Sequence, residues 1–390
     1  MNSLDILILL VLVVYAGSGY VQGFLVNLAA TLGLLAGGMA GVVFVPLLLP
    51  ANGPTLSSSL LALALVVAAA GIGQVVGTAI GSAAREGVRH QPARFFDAVG
   101  GSALSMVAVL VVSWAIGYAV SGTAVPYLGT AARDSAILRR VNSFMPHQAT
   151  EVLRAFNRTL DANVFPRYID PFENESIKAI GPPDNAALRA PGVQRAYGSV
   201  VKILGLASCG RGIEGSGFVY APGRVMTNAH VVAGVSAPML DVNGRHIPAR
   251  VVAFDPGLDV AVLAVRGYNR PALPFDISGT GGEDAVVLGY PQNGPFDARA
   301  ARIRAQITMR SPDIYGNGQH LRRAFAIRGL VRSGNSGGPL VSTRGDVLGV
   351  IFAASVTDPS TGYALTAGQV SGIATRGRAA TAKVSTGGCA

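Results

Sequence analysis

The first third of the chain is an almost continuous apolar stretch, and the second half alternates short apolar runs with polar turns. From Ile6 to Ala84 the sequence contains no Asp, Glu, Lys or Arg. One transmembrane helix needs about 20 apolar residues, so this stretch is long enough for several. Clusters of Gly, Ser, Pro and Asn interrupt it. The pattern predicts four transmembrane helices, at about Leu4–Tyr20, Leu25–Leu48, Leu60–Gly81 and Val99–Val120.

The orientation of these helices follows from the charged loop between the third and the fourth. Arg85, Arg89 and Arg94 lie in this loop. Because Lys and Arg are enriched in cytoplasmic loops, we expect the loop in the cytoplasm and both ends of the bundle outside. The N-terminus lacks the basic region of a secretory signal, so we expect the first helix to be retained. Asp5, near a helix end, is the one ionisable residue expected within a span, which leaves no visible pathway for ions.

The chain after the apolar third changes character twice. Apolar residues at helical spacing from Ala149 to Leu160 predict a neck helix, and prolines punctuate the run that follows. From Ser199 to Phe352, Val- and Ile-rich runs about ten residues apart predict an all-β barrel or sandwich. We therefore predict a transmembrane domain at 1–121, a helical neck and Pro-rich linker at 122–192, and a β domain at 193–390.

Composition agrees with this division and excludes one class of function. The 390 residues are long enough for two domains, each with its own core. Half of the residues are hydrophobic and 13% are charged, which is unusually apolar for a soluble protein. The net charge of +10 comes from Arg residues scattered after the first third, without interleaved aromatic residues. We therefore do not expect a nucleic-acid partner.

Three segments of the β domain carry candidate chemistry, although each has an ordinary structural explanation. The sequence Gly-Asn-Ser-Gly-Gly-Pro begins at Gly334, and it either closes a turn between strands or exposes the hydroxyl of Ser336 in a tight loop. His230 ends an apolar strand, where a histidine is commonly a core or turn residue. Asp259 precedes another apolar run, where Asp is usually a turn or cap residue.

Together the three residues fit one reaction. Attack of a serine on a carbonyl needs a base, a carboxylate that orients the base, and donors for the oxyanion. His230, Asp259 and Ser336 can fill the first three roles, and the backbone amides of Gly334 and Ser336 the last. Asp255 is a rival to Asp259 as the orienting carboxylate. The order His, Asp, Ser is that of chymotrypsin-type enzymes.

Four segments of this domain resemble those of trypsin-like peptidases of the HtrA type. They are Gly215–Val219, Thr227–Val232, Asp259–Leu263 and Gly334–Leu340. The apolar third resembles the CvpA (colicin V production) membrane family. No PDZ module is expected in the short tail from Ala367, unlike in HtrA. The combination resembles the membrane-anchored serine proteases of mycobacteria and other actinobacteria, the MarP (acid-resistance) type.

The resemblance implies an N-terminal all-α transmembrane bundle of four helices and a C-terminal all-β chymotrypsin-like double β-barrel, with the site between the barrels. It implies a serine endopeptidase that acts on cell-envelope proteins or peptides in envelope stress or acid tolerance, without a cofactor. It also puts Leu330, six residues before Ser336, at the floor of the substrate side-chain pocket. An apolar floor favours an uncharged P1 residue. His246 and His320 match no family segment and are expected at the surface.

The two cysteines bear on location. Cys209 and Cys389 bracket the β domain, and in an extracytoplasmic domain they are expected to form one disulfide. Two cysteines exclude a cysteine-rich metal site, and His230 lacks the HExxH context, so no metal is expected. We therefore place the protein in a bacterial plasma membrane with the protease domain outside. Two alternatives stay open: a catalytically silent protease fold that serves as a binding module, and a membrane scaffold.

Overall fold

The structure, a computed structural model, describes residues 2–48, 56–87, 91–120, 131–132, 134–146, 177–355 and 358–390. These residues belong to two compact units. The first unit contains the apolar third and the segment up to residue 146, and the second contains the described residues from 177 onward. The predicted neck helix at 149–160 lies outside the described residues.

The described part of the first unit contains four long helices, followed by a short one. They are α1 Ser3–Gln22, α2 Phe24–Leu48, α3 Leu56–Arg85, α4 Gln91–Val120 and α5 Ala136–Asn142. All four long helices are apolar enough and long enough to cross a membrane. The predicted number of long helices is therefore confirmed. Large apolar side chains such as Val13, Met39 and Phe96 point outward, as expected of helices that face lipid.

Two of the predicted helix boundaries are wrong. The stretch from Arg85 to Asp97 was expected as a loop, but α3 continues to Arg85 and α4 already begins at Gln91. Asp97 is consequently a buried acidic residue inside the apolar span Pro92–Tyr118, where no ionisable residue was expected. The reason is that hydropathy marks the part of a helix that lipid can cover, whereas the helix itself continues through polar turns until its caps.

The helices α2 and α3 pack with their backbones in contact. A Cβ atom on Gly33 would lie 2.1 Å from the carbonyl oxygen of Gly73, and one on Gly77 would lie 2.1 Å from that of Ala29. Only glycine fits at such a crossing. The recurring glycines therefore let α2 and α3 approach closely enough to be held by van der Waals contacts, since lipid supplies no hydrophobic driving force between helices.

Buried carboxylates join the helix ends at two places in this unit. Asp97 accepts a hydrogen bond from the Leu25 amide at 3.1 Å and lies 3.0 Å from Arg85, next to the break between α1 and α2. At the start of α1, Asp5 completes a capping box with Asn2. Asp5 also accepts hydrogen bonds from the Ser135 hydroxyl and from the first amides of α5, at 2.5 to 3.3 Å. The contacts of Asp97 therefore bring the end of α3 and the first turns of α4 next to the start of α2, and the contacts of Asp5 join α5 to the start of α1.

The second unit is mainly β. Its helices are α6 Pro191–Tyr197 and α7 Ala367–Ala379, with 3₁₀ turns at Asn185–Arg189 and Pro291–Asn293. Its first strands are β1 Val200–Leu206, β2 Gly212–Ala221, β3 Arg224–Thr227, β4 Met239–Val242, β5 Arg245–Pro248, β6 Arg250–Asp255 and β7 Val260–Ala264. The later strands are β8 Asp284–Gly289, β9 Asp297–Ser311, β10 His320–Arg328, β11 Pro339–Ser342, β12 Val347–Ala354 and β13 Thr361–Thr366.

The strands form two bodies in chain order. The first seven make one antiparallel sheet in the order β5-β4-β1-β2-β3-β7-β6, and the last six close into a barrel in the order β10-β13-β12-β11-β8-β9. Inward side chains such as Ile203 and Leu263 fill the first core, and Phe325 and Ile351 fill the second. The predicted fold class, an apolar helical bundle followed by a chymotrypsin-like β domain, is confirmed.

The structure adds elements that the pattern did not predict. The β4–β5 hairpin turns at Asn243-Gly244, where both residues have positive φ, and its strands are half exposed and therefore lack an apolar run. The tail from Ala367 begins with α7, capped by the side chain of Thr366. The glycines of this tail weaken the helical pattern in the sequence, so the helix was not predicted. Val370 and Ile373 of α7 are buried against the β strands.

Candidate active site

The pairing of β3 with β7 brings His230 and Asp259 together. Thr227, at the end of β3, pairs with Ala261 near the start of β7, so the residues just beyond these two strand ends are neighbours. His230 Nδ1 lies 2.8 Å from Asp259 Oδ2, and the His230 amide donates to Asp259 Oδ1 at 2.9 Å. Two contacts to one carboxylate fix both the ring and the backbone of His230.

The Asp259 carboxylate has no solvent exposure. Asp259 adopts a positive φ of 62°, and its backbone carbonyl oxygen accepts a hydrogen bond from the Asn228 side chain at 2.8 Å. Its rival, Asp255, accepts a hydrogen bond from the Leu258 amide at 2.9 Å and closes the turn before β7. A buried carboxylate next to Nδ1 favours the tautomer in which Nδ1 carries the proton and Nε2 can accept one.

Ser336 lies in the loop between β10 and β11, where two glycines allow a tight path. Gly334 and Gly337 have φ of 88° and 80°. A Cβ atom on Gly334 would lie 2.4 Å from the Tyr290 carbonyl oxygen, and one on Gly337 would lie 2.2 Å from the Ser216 carbonyl oxygen. Larger residues therefore do not fit at either position without a shift of the backbone.

The amides of Gly334 and Ser336 are held in a fixed direction. The Ser333 carbonyl accepts a hydrogen bond from the Gln292 amide at 2.8 Å, and the Asn335 carbonyl accepts one from the Gly338 amide at 2.9 Å. In a trans peptide the N–H points opposite to the C=O. The next amides, those of Gly334 and Ser336, therefore point away from these bonds, and neither donates to a backbone carbonyl of the described residues.

Ser216 was part of a recognised segment, but the sequence did not indicate its role. Its side chain is fully buried. The hydroxyl donates to the Gly334 carbonyl at 2.6 Å and accepts from the Tyr290 amide at 2.9 Å, while its amide donates to the Ser336 carbonyl at 2.8 Å. The only sign of this role in the sequence is that Ser216 lies between two glycines. Ser216 joins the first sheet to the loop that carries Ser336.

The remaining sequence candidates have different surroundings. Leu330 directly follows Gly329 after the end of β10 and is 37% exposed, an apolar side chain open to solvent beside a mostly buried loop. His246 is exposed on β5, and His320 is half buried at the start of β10. Among the described residues, no group of three or more His, Cys, Asp or Glu side chains is placed to hold a metal ion.

Cys209 and Cys389 form a disulfide with a Cα–Cα distance of 6.4 Å. The bond fastens the chain end beside the turn that follows His230. In this turn the Gly234 amide donates to the Thr386 carbonyl at 3.1 Å, and the Thr386 hydroxyl donates to the Val235 carbonyl at 3.1 Å. The cross-link thus supports the segment that carries the histidine.

Comparisons with known proteins agree with both parts of the chain. Residues 4–146 match the family model for colicin V production protein, and residues 215–350 match that for the trypsin-like peptidase domain. The serine protease Rv3671c of Mycobacterium tuberculosis is 38% identical over 99% of this chain and 98% of its own length. The putative serine protease HhoB of Synechocystis is 32% identical over 39% of this chain and 37% of its own length.

Among solved structures, the active form of the Rv3671c protease is 44% identical and superposes with a TM-score of 0.54. The match covers 57% of this chain and 98% of that one. The full-length relative carries the same two regions in one chain of similar length. This chain therefore belongs to the family of serine proteases, represented by Rv3671c, in which a colicin V production domain precedes a trypsin-like peptidase domain.

Proposed function

We propose that the protein is a membrane-anchored endopeptidase that cleaves proteins of the bacterial cell envelope through Ser336, His230 and Asp259. The observation that carries this proposal is the fixed pair of His230 and Asp259 in a domain whose serine loop presents two oriented amides. Each group that acyl transfer needs has a candidate, and each candidate is held by hydrogen bonds of its own.

In this mechanism the Ser336 hydroxyl oxygen attacks the peptide carbonyl carbon while His230 Nε2 takes its proton. The carbonyl oxygen becomes negative, and the amides of Gly334 and Ser336 stabilise it. His230 then gives the proton to the leaving amine, and the peptide bond breaks. Water repeats the sequence on the acyl-enzyme and releases the acid. The buried carboxylate of Asp259 stabilises the imidazolium in both halves.

The location of the domain outside the cytoplasm is part of the proposal. Arg85 ends α3, Arg94 lies in the first turn of α4, and Arg89 falls between them in the sequence. The bias of basic residues toward the cytoplasm therefore puts this end of the two helices inside. With four spans, the chain after α4 then leaves on the outer face. A disulfide between Cys209 and Cys389 suits an oxidising compartment. We propose the division at 1–121, 122–192 and 193–390 on the same grounds.

The substrate side-chain pocket is proposed to take an uncharged P1 residue. Leu330 is an exposed apolar side chain at the edge of the serine loop. Such a side chain offers no partner for Lys or Arg and gains from contact with an apolar one. A role in envelope stress or acid tolerance is proposed from the resemblance to the acid-resistance type. Cleavage confined to sites after Lys and Arg would contradict the proposed pocket.

The test of the activity is covalent labelling of the full chain by a fluorophosphonate probe. We expect wild type to label, and Ser336→Ala and His230→Ala to lose labelling. His246→Ala is the matched control, because His246 is an exposed histidine of the same sheet and its loss is expected to leave labelling unchanged. A folded, oxidised wild type that does not label would favour the silent binding module or the membrane scaffold instead.

A further inference from the structure

Arg304 occupies an irregular position in the closed barrel. In the β9–β10 pair, Ile303 lies opposite Ile327 and Ala305 lies opposite Ala326, so Arg304 is the extra residue of a β-bulge. The regular alternation of β9 breaks here, since Ile303 and Arg304 are both buried. Bulges re-aim side chains next to active sites. This bulge turns a guanidinium that would otherwise face solvent into the protein.

One end of the Arg304 guanidinium holds the chain that enters the domain. Its Nη1 donates to the carbonyl oxygen of Lys178 at 2.8 Å. Arg328, on the neighbouring strand, donates to the carbonyl oxygen of Ile180. Residues 177–181, here called the entry segment, have no regular secondary structure, and two arginine side chains fasten their carbonyl groups to the barrel.

The other end of the guanidinium holds the turn before β13. Arg304 Nη2 lies 3.0 Å from Asp358 Oδ2 and 3.3 Å from the Ser360 hydroxyl. Burial acts to raise the pKa of Asp358, but hydrogen bonds from Ser360 and Thr361 and the charge of Arg304 outweigh it, so the pKa lies below its ordinary value. The carboxylate therefore keeps its charge, and its partners, at neutral and mildly acidic pH.

This turn and the start of β13 contact the two residues that flank Leu330 in the sequence. The Ser360 carbonyl accepts a hydrogen bond from the Gly329 amide at 2.8 Å. On the other side, a Cβ atom on Gly362, the second residue of β13, would lie 2.3 Å from Val331 Cγ2, so the Val331 side chain packs directly against the Gly362 backbone. The chain of contacts thus runs from Arg304 through Asp358 and Ser360 to the backbone that carries Leu330.

We propose that Arg304 is a positioning residue for the substrate side-chain pocket, which it fixes by tying the entry segment and the turn before β13, residues 358–360, to one buried guanidinium. The inference rests on the proposed function, because it concerns the pocket beside Ser336. Arg304 is 5% exposed, and its Nε has no hydrogen-bond partner among the described residues. The guanidinium makes three hydrogen bonds, one to the Lys178 carbonyl in the entry segment and two to Asp358 and Ser360 in the turn, so it joins these two segments.

The fork of arginine makes the role specific. Lysine keeps the charge but offers a single nitrogen, which cannot reach the Lys178 carbonyl and the Asp358 carboxylate at once. A freed turn would move the Gly329 backbone and with it Leu330. The nucleophile, its base and its oxyanion amides are held by other contacts, those of Ser216, Asp259 and Gln292, and would stay in place.

The experiment compares Arg304→Lys and Ser360→Ala with wild type in the full chain. The kcat and KM are measured on a peptide series that differs only in the P1 residue, from Ala to Leu and Phe, and the rate of fluorophosphonate labelling is measured in parallel. We expect Arg304→Lys to raise KM for Leu and Phe by about tenfold relative to Ala. Labelling should stay within about threefold of wild type, because a small probe does not need the pocket.

Ser360→Ala keeps the test decisive if the arginine variant does not fold, because it leaves the guanidinium and Asp358 in place and removes only the Ser360 hydroxyl that bonds both of them. It should shift KM in the same direction by a smaller factor. Arg302→Lys is the matched control. Arg302 lies two residues away on β9 and binds Asp284, which accepts from the Asp184 amide, so it fastens the entering chain without touching the turn.

Five outcomes are informative. A loss of P1 discrimination in Arg304→Lys but not in Arg302→Lys supports the proposal. An unchanged P1 profile in both Arg304→Lys and Ser360→Ala overturns it, as does an equal change in Arg302→Lys. A parallel loss of labelling and turnover also overturns it, because the variant then disturbs the nucleophile. If wild type itself fails to label, the proposed activity fails first, and the pocket proposal is overturned with it.

Discussion

Ser216 offers a sharp test of how the serine loop is held. In Ser216→Ala the backbone contacts to Ser336 and Thr227 remain, but the hydroxyl bonds to the Gly334 carbonyl and the Tyr290 amide are lost. A buried polar group that loses its partner costs about 1 to 3 kcal/mol. With two such groups, and some relaxation, we expect the free energy of unfolding of the domain to fall by about 2 to 4 kcal/mol.

The effect on chemistry should exceed the effect on folding. Tyr290 begins the turn whose Gln292 amide orients the Ser333–Gly334 peptide, and Gly334 is itself released. Loss of one oriented oxyanion donor costs on the order of 100-fold in rate. We therefore expect fluorophosphonate labelling of Ser336 to slow by about that factor under conditions where urea titration shows the variant still folded.

The matched control is Ser199→Ala. Ser199 is as buried as Ser216, and its hydroxyl donates to the Pro271 carbonyl at 2.6 Å, away from the serine loop. It should lose about 1 to 2 kcal/mol of stability and label at the wild-type rate. The reasoning is refuted if the two variants label alike, or if labelling of Ser216→Ala declines only in proportion to its unfolded fraction.

Three further predictions follow from other contacts. Replacement of Cys209 and Cys389 by Ser should lower stability by about 5 kcal/mol in the chain-entropy model, because the bond closes a separation of 180 residues; an unchanged urea midpoint would contradict this. Asp259→Asn should lower kcat roughly 10⁴-fold while the fold persists, because an amide favours the wrong tautomer of His230; a pH-rate profile and circular dichroism would check it. Hydrogen bonds from Arg302 hold the pKa of Asp284 below its ordinary value of 3.8. The contribution of this pair to stability is therefore present above pH 3.8 and is lost as the pH falls through the lower pKa of the folded state. Asp284→Asn should therefore be less stable than wild type at neutral pH, and urea titrations should show the difference shrinking as the pH falls below 3.8.

The architecture was predictable because the two halves of the chain follow different hydrophobic periods. Uninterrupted apolar helices and short Val-rich strands leave signals that a sequence displays directly, as in Leu25–Leu48 and Val260–Ala264. Boundaries were less accurate where polar residues stay helical, as at Arg94. The hairpin of β4 and β5 was missed because its strands are half exposed, and pairing with β1 determines it.

The sequence indicated the residues that we propose to react, but not the residues that hold them in place. His230, Asp259 and Ser336 have few alternatives once their chemistry and order are considered together. Ser216 and Arg304 work through hydrogen bonds to carbonyl groups far away in the sequence, 118 and 126 residues apart. Because any carbonyl can accept such a bond, no residue type at the other end marks the contact.

The contact of Asp5 with α5 has a consequence for biosynthesis. The ribosome makes Asp5 about 130 residues before its hydroxyl and amide partners at Ser135, Ala136 and Ile137. At a synthesis rate of about 5 to 20 residues per second, the Asp5 carboxylate therefore lacks these partners for roughly 6 to 26 seconds. During that interval it has to remain hydrated near the lipid surface, so the first helix enters the bilayer early but becomes locked only after the fourth helix has emerged.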